Sequence, residues 1–210
     1  MREKAKVEMD TDELDRRHAE KMMKKKAARD KIIASKTIEK GLLIVHTGKG
    51  KGKSTAAMGL AIRAIGNGMR VGIVQFVKGV WETGERLVLD AFPDQVKIKA
   101  MGEGFSWDTQ DRQRDISAAK QAWSTSREMM VSGKYDMIIL DELNIPLRYG
   151  NLDIDDVVST LTARPEMLHV VVTGRNAKDE LIHAADLVTE MTLVKHPFRA
   201  GVKAQKGVEF

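Results

Sequence analysis

One nine-residue stretch, T-G-K-G-K-G-K-S-T from Thr47 to Thr55, constrains this chain more than any other part of it. It follows the short apolar run Leu42 to Val45 and precedes a segment with helical periodicity. Its three glycines let the backbone turn tightly with successive N–H groups pointing inward. These donors and the N-terminus of the following helix form a nest for anionic oxygens. The stretch therefore predicts a phosphate-binding loop between a strand and a helix.

The side chains of this loop indicate which groups would hold phosphates and a metal ion. Lys53 supplies a positive charge for the outer phosphates, and Ser54 supplies a hydroxyl that can ligate Mg²⁺ or Mn²⁺. The pattern G-x-x-x-x-G-K-[ST] asks for glycine at position 47, so the loop is a variant; a merely solvated turn is the less specific interpretation. The predicted nucleotide-binding residues here are Thr47, Gly48, Lys49, Gly50, Lys51, Gly52, Lys53, Ser54 and Thr55.

An apolar strand that ends in two acids is the second feature expected near such a loop. Residues 135–142 read Y-D-M-I-I-L-D-E, and a parallel sheet would bring Asp141 and Glu142 beside the loop. Ser54 and these two carboxylates form the predicted metal site, in which either carboxylate could contact the ion. Farther along the chain, Arg175 follows another predicted strand. Its guanidinium could bind a phosphate or a ligand carboxylate, or cap a neighbouring helix.

Alternating strand and helix signals predict the fold class. An α/β fold of the P-loop NTPase (RecA-like) class is expected, with a mostly parallel sheet of about six strands and helices on both faces. The predicted strands are residues 42–46, 70–77, 96–101, 135–142, 168–173 and 187–194, and the predicted helices between them are 54–65, 85–92, 109–132, 153–163 and 178–184.

Charge separates a terminal arm from the body. Residues 1–40 contain 13 Lys and Arg against 9 Asp and Glu, whereas residues 41–210 contain 22 against 21. The arm is predicted to be a solvated helix over residues 13–36 that frays or docks on a ligand or a partner subunit. A nucleic-acid-binding module that uses the basic arm is a further interpretation, but the nearly neutral body gives no support for a nucleic-acid partner.

The composition bears on where the protein works. The chain has no cysteine, which excludes disulfides and thiolate metal sites and suits a reducing compartment. We see no apolar run long enough to cross a bilayer, and the charged start from Arg2 does not resemble a secretory signal. A cytoplasmic protein without membrane contact is therefore expected.

Five segments and the chain's final residues together form a specific set. The segments are G-K-G-K-G-K-S-T at 48–55, V-Q-F-V-K-G at 74–79, G-E-G-F-S-W at 102–107, L-D-E-L-N at 140–144 and T-G-R at 173–175. With the closing H-P-F-R-A-G-V-K-A-Q-K-G-V-E-F, they resemble the P-loop type of ATP:corrinoid adenosyltransferase, also called cob(I)yrinic acid a,c-diamide or cob(I)alamin adenosyltransferase. The resemblance covers residues 41–210, which form the predicted nucleotide-binding domain.

This resemblance implies a reaction and a set of partners. The 5′-deoxyadenosyl group of ATP would be transferred to the Co(I) of a corrinoid, with release of triphosphate, in adenosylcobalamin biosynthesis or corrinoid salvage. An electron donor such as reduced flavodoxin, a homodimer and an arm that folds over the corrinoid are also implied. The alternative function is a conventional P-loop ATPase or kinase, in which Glu142 would orient a water molecule or an acceptor hydroxyl.

The resemblance also implies three catalytic residues. Lys53 would hold the triphosphate, and Phe105 and Trp107 would line the lower face of the corrinoid and displace its axial ligand, which makes cobalt easier to reduce. From the residues alone, two aromatics between glycines in a loop could present flat faces to a ligand. They could equally pack into the body or into a dimer contact.

Alanine substitutions at Phe105 and Trp107 test the role that the resemblance implies. Each should reduce turnover strongly when cobalt is supplied as Co(II), and less when Co(I) is generated chemically, because the aromatics act on the reduction of cobalt. The rate of cobalt–carbon bond formation, followed in the visible spectrum, is compared in the two assays. Equal losses in both would show that the two aromatics only support the fold.

Overall fold

The computed structural model describes residues 11–77, 83–102 and 111–209. The chain divides into two units, with the boundary between Glu39 and Lys40. In the first unit, helix α1 spans Thr11–Ala34 and buries none of its residues. Asp12 and Glu13 lie in its first turn, where the partial positive charge of a helix N-terminus favours carboxylates. The predicted solvated helix is therefore confirmed.

The second unit alternates strands and helices along the chain. Its helices and strands are β1 Leu43–Thr47, α2 Lys53–Gly66, β2 Val71–Gln75, α3 Gly84–Leu89, β3 Val96–Ala100, α4 Arg112–Val131, β4 Met137–Asp141, α5 Asn144–Arg148, α6 Ile154–Thr162, β5 His169–Thr173, α7 Asp179–Ala184, β6 Leu187–Glu190 and a 3₁₀ helix Pro197–Ala200. Among the helices of the described segments, none has the length and apolar character needed to cross a membrane.

The six strands form one parallel sheet in the order β3-β2-β4-β5-β1-β6. The sheet places β5 between β1 and β4, as the pairing of Val45 with Val172 and of Leu140 with Val172 shows. Parallel strands end at the same edge, so the loops after these three strands meet there. The sheet and the glycine-rich loop after β1 are those of an α/β P-loop fold, as predicted.

Side chains of the central strands alternate between two buried layers, because successive residues of a strand point to opposite faces. On one face, Ile44 and Ile139 belong to a buried cluster that includes residues of α2 and α3. On the other face, Val45 and Leu140 belong to a cluster that includes residues of α4, α6 and α7. Helices therefore cover both faces of the sheet, which confirms the predicted layering.

Most predicted strands and helices differ from the structure by up to three residues at their ends, and β6 and α5 differ more. β6 ends at Glu190 rather than at residue 194. The Met191 N–H still donates to the Thr47 carbonyl at the end of β1. The chain then leaves the sheet, since the Met191 carbonyl accepts from the Gly50 N–H of the loop. Helix α5 was not predicted, because its five residues are too few to show a helical period and include Pro146.

Two glycine substitutions should change stability in opposite directions. A Cβ on Gly41 would lie 2.2 Å from the Leu168 carbonyl oxygen, so Gly41→Ala should lower the free energy of unfolding by about 1–3 kcal/mol. A Cβ on Gly59, inside α2, meets no described atom within 4 Å, so Gly59→Ala should raise it by about 0.5–1 kcal/mol. Urea unfolding curves measure both changes. A loss of stability at both positions would contradict this packing.

Candidate active site

The glycine-rich loop after β1 adopts a backbone that only glycine enters easily. Gly48 and Gly52 have φ angles of 96° and 101°, in the left-handed region that disfavours residues with a Cβ. A Cβ on Gly48 would also lie 2.4 Å from the Met191 carbonyl oxygen. Gly52 is the last residue before α2, so the loop leads directly into the helix N-terminus. The two glycines therefore give the loop a path that residues with a Cβ could not follow without strain.

The residues that follow β6 form hydrogen bonds with this loop and with the end of β1. The Gly50 N–H donates to the Met191 carbonyl at 2.6 Å, and the Met191 N–H donates to the Thr47 carbonyl at 2.9 Å. A Cβ on Gly50 would lie 2.6 Å from the Thr192 carbonyl oxygen. The close approach of this second segment, which the sequence pattern predicts to be strand, thus requires glycine at position 50.

Lys53, the first residue of α2, places a cation in a nearly dry position. Its side chain is 7% exposed, and its ammonium donates to the Gly50 carbonyl at 2.5 Å. Burial lowers the pKa of the Lys53 ammonium below its usual value. The Glu142 carboxylate opposes that shift, whereas the positive charges of Arg175 and Lys51 add to it. An anion bound beside Lys53 would therefore stabilise its charged form.

The acidic end of β4 is held by the end of β5. Asp141 is fully buried and accepts a hydrogen bond from the Thr173 hydroxyl at 2.8 Å. The same hydroxyl accepts from the Glu142 N–H at 2.9 Å. Glu142 has a φ of 64°, which is unusual for a residue with a side chain. Thr173 thus fixes the turn in which the direction of the chain changes between the two acids.

One cleft of about 450 Å³ collects most of the predicted site. The predicted residues that line it are Gly50, Lys51, Gly52, Lys53, Ser54, Thr55, Glu142 and Arg175. Thr47, Gly48, Lys49 and Asp141 are not among its lining residues. Phe105 and Trp107 lie outside the described residues, so their role stays a prediction.

The cleft also contains residues that sequence reasoning did not assign to the site. Glu85, Asp115 and Tyr149 line it, and the Arg148 guanidinium lies 5.7 Å from the centre of the Tyr149 ring. No local motif distinguishes these side chains, because they come from three separate helices or helix ends. The final residues Val208 and Glu209 line the cleft as well, and the Glu209 carboxylate pairs with the Lys51 ammonium.

The donors in the cleft fit a hard divalent cation. Ser54 and Glu142 both line it, and their hydroxyl and carboxylate oxygens are ligands that Mg²⁺ accepts. Asp141 is fully buried and accepts from Thr173 and from the Gln75 amide at 3.4 Å, which suits an indirect role. The described residues contain no group of three or more His, Cys, Asp or Glu side chains that could hold a metal. Mg²⁺ needs none, since it retains several waters and takes phosphate oxygens.

A nucleotide-binding protein of the P-loop class is defined by these features: a left-handed glycine loop, a buried lysine at its end and an acidic strand end across the cleft. A sequence profile described as ATP:corrinoid adenosyltransferase BtuR/CobO/CobP matches residues 39–210. The chain therefore belongs to the ATP:corrinoid adenosyltransferase family, a family of enzymes.

Two relatives with similar sequences agree with this assignment. The corrinoid adenosyltransferase of Pseudomonas aeruginosa is 54% identical over 94% of this chain and 98% of its own. That of a Sinorhizobium species is 56% identical over 93% and 92%. Among solved structures, the flagellar accessory protein FlaH from Methanocaldococcus jannaschii has a TM-score of 0.48 and 15% identity, over 74% of this chain and 73% of that one.

Two substitutions should move the pKa of Lys53 in opposite directions. Glu142→Gln removes the negative charge that favours the ammonium, so the pKa should fall further. Arg175→Gln removes a like charge, so the pKa should rise. NMR titration of the Lys53 side chain in the ATP-free protein measures both. Shifts in the same direction would contradict this charge arrangement.

Proposed function

We propose that this enzyme binds ATP in the cleft and transfers its 5′-deoxyadenosyl group to the Co(I) of a corrinoid, in adenosylcobalamin biosynthesis or corrinoid salvage. The electron pair of Co(I) forms the cobalt–carbon bond with C5′. The C5′–oxygen bond breaks, and its electron pair leaves with the triphosphate. The nucleotide half of the proposal rests on one observation: Lys53, Ser54, Glu142 and Arg175 line the same cleft. Family membership supports the corrinoid as acceptor.

The phosphate-binding residues act on the leaving group. Negative charge builds up on the triphosphate as the carbon–oxygen bond breaks, so cations beside it stabilise the transition state more than the ground state. Lys53 is best placed for this role, because it lines the cleft with little exposed surface and a charge interaction is stronger where water is scarce. Lys51 and Arg175 line the same cleft and would contact the outer oxygens.

A magnesium ion, with Mn²⁺ as an alternative, is proposed to accompany the triphosphate. Ser54 and Glu142 would hold it, and Asp141 would act through the hydrogen bonds that fix the end of β4. When bound, the ion would neutralise part of the charge on the phosphate oxygens. Glu142 would in addition stabilise the charged form of Lys53, because its carboxylate raises the pKa of that lysine.

The acceptor side of the reaction is proposed from the family. Phe105 and Trp107 would line the corrinoid, and the arm, whose helix α1 buries none of its residues, would fold over it in a homodimer. A donor such as reduced flavodoxin would supply the electron that forms Co(I). We place the reaction in the cytoplasm, because a cysteine-free protein suits a reducing compartment.

An anaerobic incubation of the purified protein with Mg-ATP and chemically reduced cobalamin tests this function. We expect the spectrum of a cobalt–carbon bond to appear together with one triphosphate for each corrinoid consumed. The phosphate species are separated by ion-exchange chromatography. Release of ADP and phosphate, with or without corrinoid and with no cobalt–carbon bond formed, would instead indicate a conventional ATPase.

Lysine substitutions within the loop separate the proposed roles. Lys53→Ala should lower kcat by about 10²- to 10³-fold, because it removes a preorganised cation from the developing charge. Lys49→Ala should cost far less, since Lys49 is exposed and is not among the residues lining the cleft. Turnover is measured with chemically generated Co(I) at saturating ATP. Similar losses in the two variants would argue against a specific role for Lys53.

A further inference from the structure

The loop between β5 and α7, residues 174–178, carries Arg175 to the cleft. Arg175 is exposed and lines the cleft, and it lies near enough to Lys53 to lower that lysine's pKa. The loop backbone is unusual on both sides of it, with φ angles of 130° at Gly174 and 54° at Asn176. Asparagine is one of the few residues with a side chain that adopt a left-handed conformation readily.

Asn144 holds the beginning of this loop. Its side-chain amide donates to the Gly174 carbonyl at 2.9 Å, and the side chain is 1% exposed. Gly174 has no room for a side chain, because a Cβ would lie 2.8 Å from the Asn144 Cβ and 3.3 Å from a carboxylate oxygen of Glu142. The Gly174 N–H also donates to the His46 carbonyl at 3.2 Å. The start of the loop is thus fixed against β1 and α5.

Thr47 holds the end of the loop. Its hydroxyl accepts a hydrogen bond from the Ala177 N–H at 3.0 Å, and its side chain is 7% exposed. This is the position at which the phosphate-loop pattern asks for glycine, which has no hydroxyl to offer. Thr47 is not among the residues that line the cleft. The hydrogen bond shows that its side chain faces the Arg175 loop. Threonine in place of glycine at position 47 therefore provides a contact with that loop.

We propose that Thr47 is a positioning residue that acts through Arg175. Its hydroxyl ties the Arg175 loop to the first residue of the phosphate loop, so that Lys53 and Arg175 are held in register around one triphosphate. This inference rests on the proposed function for its ligand. It extends that function by giving residue 47 a task distinct from direct nucleotide contact. The triphosphate would bind more tightly, because an Arg175 side chain on a fixed loop loses less conformational freedom when it binds.

Removal of the Thr47 hydroxyl in two backgrounds tests the inference. Thr47→Val keeps the shape of the side chain and removes the acceptor, whereas Thr47→Ser keeps the acceptor. Each is made alone and with Arg175→Ala, and Kd values for Mg-ATP and for inorganic triphosphate are measured by calorimetry without corrinoid. Thr47→Val should weaken both ligands about tenfold, and Thr47→Ser less than about twofold.

The double substitution is the decisive measurement. If Thr47 acts through Arg175, Thr47→Val should cause no further loss of affinity once Arg175 is alanine. An equal loss in both backgrounds, or no loss in either, overturns the inference. Thermal midpoints check folding, and Thr47→Ala replaces the valine variant if that variant unfolds. Because affinity is measured without corrinoid, failure of this inference can be distinguished from failure of the proposed function. If the predicted coupling is found but the incubation with corrinoid releases ADP, the inference stands and the proposed reaction is wrong.

Discussion

The candidate site depends on the interactions that compensate the positive charge of the buried residue Lys53. A cation removed from water is costly unless opposite charge or hydrogen-bond acceptors compensate it. Here the Gly50 carbonyl accepts from it and Glu142 favours its charge, while Arg175 and Lys51 oppose it. Burial nevertheless lowers the pKa of this lysine, so negative charge placed beside it would stabilise the ammonium. A triphosphate supplies that charge, which is why the geometry is suited to binding and releasing this leaving group.

The order of the strands determines which side chains meet at the cleft. Since β5 lies between β1 and β4, its final residue, Thr173, bonds both Asp141 and the Glu142 N–H. The loop after β5 then reaches both neighbours, through Asn144 on one side and Thr47 on the other. β5 thus links the phosphate loop to the acidic end of β4. A substitution at Asn144 or Thr47 should therefore change the geometry of the cleft.

Local features of the chain made much of this predictable. The spacing of glycines and lysine around Lys53 predicts the loop because those residue types allow only a few backbone paths, and the apolar run before Asp141 and Glu142 predicts a strand end beside it. Other features were missed. Glu85 and Tyr149 line the cleft without any local motif, and β6 ends early because the Met191 carbonyl accepts from the Gly50 N–H of the loop.

The sequence by itself determined the P-loop class, the parallel α/β sheet and the family, because these follow from short motifs and from periods of a few residues. Only the tertiary structure decided that Asp141 is buried beneath the cleft while Glu142 lines it, and that Thr47 holds the Arg175 loop. Such contacts join residues 30 or 130 positions apart, as for Asn144 with Gly174 and Thr47 with Ala177. No local pattern records them, since they arise only when separate strands end at one edge of the sheet.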